Sequence, residues 1–195
     1  MQPSRKKTAN TSVVYSDAPV THSNILPALT FVKARRDDMN LIAGFLRSSS
    51  DWYRQILDDK DMGEHDVDEN WAEKNFQRRQ FYIGLAEDDP VVTVSLQYFG
   101  DIAYIGYIYL DINHVGKGYG RQFIDFAAAQ AKNRGMRGMA LICHPQATWA
   151  KKAYLKYGFE LHASSKEEVL QWKDGILKPY YEEGFQLYLY FFQRP

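Results

Sequence analysis

Two periods of apolar positions divide the chain. Residues 29–35, LTFVKAR, predict a first strand, and residues 37–58 then change to helical spacing. Met39, Ile42, Ala43 and Leu46 share one face, and Trp52, Ile56 and Leu57 follow after a break expected at Ser48-Ser49-Ser50. The polar segment DENWAEKNFQRR predicts a second helix. FYIGLAE and VVTVSLQYF, separated by Asp88-Asp89-Pro90, predict a hairpin, and Gly100-Asp101 turns the chain into a third long strand, IAYIGYIYLDI. These three strands are expected to form an antiparallel meander. Helical spacing returns at Phe123, Ile124, Phe126, Ala127 and Ala131 and stops at Gly135. MALIC is continuously apolar, as a strand buried on both faces would be. Residues 147–157 read as a helix closed by Gly158, and FELHA and FQLYLYFF as the last two strands. FQLYLYFF is apolar on both alternations, which predicts a fully covered strand or a dimer interface.

Composition narrows the class. With 195 residues, 45% hydrophobic and 25% charged, the chain suits one globular domain. Its first 25 residues are polar and basic, without the apolar core of a secretory signal. They read as a flexible tail, residues 1–25, ahead of a single domain, residues 26–195. A formal net charge of +0 argues against a nucleic-acid partner. No apolar run is long enough for a membrane span. The lone Cys143 excludes an intramolecular disulfide and fits the cytoplasm. The five histidines show no metal-ligand spacing, and no nucleophile elbow occurs, so no metal is expected.

The chemistry concentrates in residues 113–121, NHVGKGYGR, between a strand and a helix. Glycines there let a phosphate approach bare backbone, and amides at a helix N-terminus bind anions. Lys117 and Arg121 add positive charge. A P-loop is excluded because Arg121, not a lysine followed by Ser or Thr, comes after Gly120. A dinucleotide fingerprint is excluded because Phe123 holds its third glycine position. A diphosphate cradle and a loop that uses glycine only to turn both remain.

The stretch YIYLDINHVGKGYGRQFIDFAAAQA resembles the acetyl-CoA-binding segment of the GNAT N-acetyltransferase superfamily, a strand followed by R/Q-x-x-G-x-G/A and a helix. ATWAKKAYLKYGFE, residues 147–160, resembles the family's second segment, with Ala150, Tyr154 and Gly158-Phe159 in place. The likeness spans about residues 29–193 in element order and is motif-level over about 108–160. Three positions depart from the pattern. Val115 replaces the Arg or Gln, Ala147 replaces an Asn that bonds the pantetheine arm, and Ile112 replaces a proline. The resemblance implies an α/β (α+β) GNAT fold, a mixed, mostly antiparallel twisted sheet of about seven strands flanked by helices.

It also implies acetyl transfer from acetyl-CoA to a primary amine of a small molecule, peptide or protein, by direct attack in a ternary complex. Cosubstrate contacts are expected from Leu110, Ile112, Val115, Gly116, Lys117, Gly118, Tyr119, Gly120, Arg121, Ala147 and Lys151. Tyr154 matches the family's tyrosine that protonates the leaving thiolate, although its spacing also fits a core aromatic. His144, at the end of MALIC, is the candidate base and equally a turn histidine. Asp101, Tyr107 and Asp111 are rivals, and Glu182 and Glu183 either hold a cationic acceptor or form a solvated turn. The acceptor wall is expected from residues 37–80 and 164–185. Trp52, Tyr53, Trp71, Trp172, Tyr180 and Tyr181 either line it or pack the core. The protein is expected to be a monomer or homodimer. An alternative is a non-catalytic acyl-CoA-binding or regulatory module, suggested by Val115 and Ala147. An aromatic-lined RNA-binding domain is a more distant reading, opposed by the neutral charge.

Overall fold

The computed structural model describes residues 27–57, 62 and 67–192. The expected tail, residues 1–25, lies outside the described residues. Strands β1 (Leu29–Lys33), β2 (Gln80–Ala86), β3 (Asp89–Phe99), β4 (Ile102–Leu110), β5 (Gly138–Cys143), β6 (Glu160–Ala163) and β7 (Gln186–Phe191) form one sheet in the order β1-β2-β3-β4-β5-β7-β6. All neighbours are antiparallel except β4 and β5. The apolar FQLYLYFF segment is explained by position. β7 lies between β5 and β6, and Leu187, Tyr188 and Leu189 are buried.

Helices α1 (Met39–Tyr53), α2 (Glu69–Arg78), α3 (Gly120–Asn133), α4 (Thr148–Tyr157) and α5 (Lys166–Gln171) cover the two faces. The expected break at the three serines does not occur. Ser48 and Ser50 donate their hydroxyls to the carbonyls of Phe45 and Arg47, so α1 continues through them. Asp68 caps α2 by accepting the Trp71 amide at 2.7 Å. The sequence reading assigned no element to residues 164–185, where α5 begins with a Ser165–Glu168 capping box.

Strand alternation sorts the core into two layers. Val92, Val94, Met139 and Leu141 pack with Phe123, Ile124 and Ala127 of α3 on one face. Phe81 and Ile83 pack with Ile42 and Leu46 of α1 on the other, continued by Ile102, Tyr104 and Ala140 with Val169 and Leu177.

Two irregularities in β4 create the functional region. Its ladder with β5 has only three register pairs, Ile102–Gly138, Ala103–Met139 and Tyr104–Ala140. Beyond Tyr104 the two strands part. On the other edge Thr93 faces Tyr109 and Ser95 faces Gly106, so β4 holds one more residue than β3 over that interval. This bulge reverses which face each side chain meets. Ile108 and Leu110 join the α3 layer, and Tyr107 and Tyr109 turn to the α1–α2 layer. Tyr107 takes φ 47 to make the bulge, a strained conformation for a residue with a Cβ.

Candidate active site

β4 leads through a short 3-10 turn, Ile112–His114, into the glycine loop and α3. Gly116 and Gly118 adopt φ 81 and 93, a region that disfavours any side chain. At Gly116 an added Cβ would meet nothing within 4 Å, so backbone direction rather than crowding calls for glycine there. No side chain caps α3. Gln122 and Phe123 donate their amides to the Tyr119 carbonyl, which among the described residues leaves those of Gly120 and Arg121 for an incoming anion, with the helix dipole behind them.

This loop, the end of α1 and one side of α4 enclose a cavity of about 510 Å³. Of the expected cosubstrate residues, Leu110, Val115, Gly116, Gly118, Tyr119, Gly120 and Arg121 line it. Ile112, Lys117, Ala147 and Lys151 do not. Ile112 and Lys117 are exposed in the loop, and Ala147 is fully buried at the start of α4. Lys151 lies near Cys143, whose thiolate its charge favours. Sequence motifs missed Ser49, Lys156 and the aromatic wall of Trp149 and Tyr157. Trp52 and Tyr53, expected at the acceptor wall or in the core, instead line this large cavity, Tyr53 reaching the small pocket described below as well, and both pack against Trp149 in T-shaped contacts. Arg121 pairs weakly with Asp125 at 3.4 Å, and Tyr157 donates to Asp125 at 2.8 Å.

A second pocket, about 90 Å³, fills the gap between the parted ends of β4 and β5. Tyr53, Ile108, Tyr109 and Tyr154 line both spaces and form the junction between them. Tyr154 projects from α4 and packs against Phe159. Burial pushes its phenol well above the ordinary value, so it remains protonated at neutral pH. Tyr53 and Tyr109 shift the same way, first by burial and in part because the Glu182 carboxylate is near both.

His144 lines the small pocket, its ring 5.8 Å from that of Phe185. Its Nδ1 accepts the Gln146 amide at 3.3 Å, which leaves the proton of a neutral ring on Nε2. Cys143 precedes it, buried, with its thiol pushed up to about 12 by burial. Such a thiol is not an active nucleophile at neutral pH.

The rival bases separate clearly. Asp101 lies outside both cavities, and a hydrogen bond from Lys173 at 2.7 Å and a pair with Arg137 hold it below the usual carboxylate range. Asp111 accepts the Asn113 amide at the turn and also lies outside both cavities. Tyr107 lines the small pocket, where its hydroxyl accepts the Trp71 indole N–H at 3.2 Å. The two turn glutamates divide. Glu183 is exposed and pairs with Lys166 at 2.7 Å, whereas Glu182 lines the pocket with its Oε2 shielded from solvent. Trp71 packs in the α1–α2 core, Trp172 packs beside α5, and Tyr180 lines the pocket. The Tyr181 hydroxyl accepts the Gly184 amide at 3.2 Å.

Among the described residues no group of three His, Cys, Asp or Glu side chains gathers to hold a metal, and no helix is long and apolar enough to cross a membrane.

A model of the Acetyltransferase (GNAT) family matches residues 46–159. No curated protein matches the chain. Among solved structures, the PaiA N-acetyltransferase of Thermoplasma acidophilum in complex with coenzyme A is similar with a TM-score of 0.65 at 14% identity, covering 85% of this chain and 99% of that one. A GNAT-family acetyltransferase of Staphylococcus aureus Mu50 gives 0.63 at 14% identity, covering 85% and 100%. RimL, a ribosomal L7/L12 α-N-protein acetyltransferase in complex with coenzyme A, gives 0.61 at 15% identity, covering 84% and 94%. At these identities the structural likeness establishes the fold.

Proposed function

Because the chain belongs to the GNAT acetyltransferase family, we propose that it is an N-acetyltransferase that moves the acetyl group of acetyl-CoA to a primary amine of a small molecule, peptide or protein by direct attack in a ternary complex. One observation carries this reading: a large cavity under an uncapped helix N-terminus meets a small polar pocket at Tyr154. The arrangement suits two reactants that must touch at one end.

The cavity fits the cosubstrate. The amides of the glycine loop and α3 would hold its diphosphate, with Arg121 and Lys156 supplying positive charge at the lining. Trp52, Trp149 and Tyr157 offer apolar walls for the pantetheine arm and exclude water. Beyond the bulge, the β4 edge facing the gap is not paired by β5, so its backbone groups can bond an extended arm. When bound, acetyl-CoA supplies an acyl group with a thiolate as its leaving group.

Tyr154 is proposed to donate a hydrogen bond, and finally its proton, to that sulfur. Its high pKa makes it a weak acid but keeps the proton in place until negative charge develops. His144 is proposed to take the proton of the acceptor amine, which requires the tautomer held by Gln146 to exchange. Val115 offers no side-chain donor at the position where the family pattern has Arg or Gln, which favours the second reading, an acyl-CoA-binding module without turnover.

Calorimetric titration with acetyl-CoA, followed by an amine screen with thiol release as readout, separates the two. Micromolar binding with acetylated product supports transfer. Binding without product across the screen supports the module, and absence of binding removes both.

A further inference from the structure

The small pocket contains a cation that the transfer chemistry above does not use. Arg79 follows α2 directly and is only 8% exposed. Buried guanidinium groups in folded proteins are normally paired with a carboxylate. No carboxylate pairs with Arg79 among the described residues. Its Nε donates to Asn75 Oδ1 at 3.0 Å, and its guanidinium lies 4.4 Å from the centres of both the Tyr107 and Tyr180 rings. Among the described residues one of its five N–H donors is thus used.

The supports are themselves fixed. The Tyr107 hydroxyl accepts the Trp71 indole, the Tyr180 hydroxyl accepts Gln97 Nε2 at 2.7 Å, and Asn75 Nδ2 donates to the Trp71 carbonyl. β4 also makes room, since a Cβ on Gly106 would stand 2.7 Å from Arg79 Nη1. The bulge therefore positions a rigid, planar fork in the pocket wall. Such a fork matches a carboxylate with two parallel hydrogen bonds.

The pocket is also polarised. Arg79, Tyr107 and Tyr180 line the small pocket and not the large cavity. Glu182 also lines the small pocket alone, but its charge is felt at Tyr53 and Tyr109, which line both. Negative charge thus lies toward the junction and positive charge away from it. An acceptor amine must reach the junction to be acetylated, so Arg79 faces the opposite end of the acceptor. The pocket of about 90 Å³ has room for a small molecule.

We propose that the acceptor is an amino acid with a free carboxylate, held by Arg79 at its carboxylate and drawn by Glu182 at its ammonium. This deepens the transfer reading and rests on it.

The test uses the CoA-saturated protein for binding and the acetyl-CoA reaction for turnover. The probes are glycine, β-alanine, γ-aminobutyrate and the common α-amino acids, each beside its own carboxamide. At least one acid is expected to exceed its amide tenfold or more, in affinity and in kcat/KM. Arg79→Gln should lower the acid alone and close that gap, and Arg79→Lys should restore part of it. Unchanged acetyl-CoA affinity and an unchanged melt certify the variants as folded, and the wild-type ratio needs no variant. A ratio near one in the wild type overturns the proposal, as does a loss of acid and amide alike in Arg79→Gln. Failure of every probe to bind or react overturns it too. Acid-selective binding without acetylation keeps the pocket assignment and removes the transfer reading. Acetylation without acid preference does the reverse.

Discussion

Alanine at Gly118 and alanine at Gly120 should have opposite effects, although only one residue separates them. Gly118 adopts φ 93, whereas Gly120 begins α3 without a positive φ. A Cβ at Gly118 costs about 1–2 kcal/mol if the loop keeps its shape. For a chain of this size that corresponds to a fall in Tm of roughly 2–8 °C. The loop can avoid the strain only by turning, which re-aims the amides at the start of α3. Either response should weaken acetyl-CoA binding by tenfold or more. At Gly120 a Cβ would meet only Phe123 Cε1, at an ordinary 3.8 Å. Alanine there reduces the freedom of the unfolded chain and should stabilise by about 0.4–1 kcal/mol, with binding changed less than about threefold. Thermal melts without ligand and calorimetry with acetyl-CoA read both effects. Undiminished binding by Gly118→Ala, or a large loss in Gly120→Ala, would refute the argument that backbone direction at Gly118 builds the cradle.

Other outcomes follow from the junction. Tyr154→Phe should lower kcat by about 10²–10⁴-fold with acetyl-CoA affinity nearly unchanged, and unaltered turnover would remove Tyr154 from the chemistry. With His144 as base, His144→Gln should lower kcat/KM by about 10²–10⁴-fold with acetyl-CoA affinity nearly unchanged, and an unaltered kcat/KM would remove it from the chemistry. Cys143 offers a stability test. Burial raises its thiol from 9.0 to about 12, so the unfolded chain ionises first. Its contribution is intact below pH 9 and is lost as pH rises toward 12, at about 1.4 kcal/mol per unit. Cys143→Ser should flatten that slope between pH 9 and 10 in denaturant melts, and an unchanged slope would contradict the assignment. Trp149 lines the large cavity, so acetyl-CoA should change the intrinsic fluorescence, with the change much reduced in Trp149→Phe.

Helices α1, α3 and α4 could be read from periodicity because each packs one regular face, and β5 and β7 from unbroken apolar runs because both faces are covered. The serines in α1 misled because their hydroxyls satisfy helical carbonyls locally, which spacing does not reveal. The capping box of α5 was visible as Ser165 and Glu168, yet its six residues are too short to show a period. The glycine loop was legible because an unusual backbone requires an unusual residue. The small pocket was not. It depends on a one-residue bulge in β4, which reverses alternation and brings Tyr107, Arg79 and Glu182 together from three distant segments. Arg79 sits in a run of charged residues that looks solvated, and only the fold shows it sandwiched between two rings. Glu182 and Glu183 are adjacent and alike in sequence, and the turn alone sends one inward.

The most direct test of the account is the initial rate of acetylation measured while acetyl-CoA and an acceptor amine are varied together. Direct attack across the junction, with Cys143 buried and protonated, predicts reciprocal plots that intersect, the pattern of a ternary complex. Parallel plots, together with an acetylated enzyme isolated before amine is added, would reveal a covalent intermediate and contradict the account.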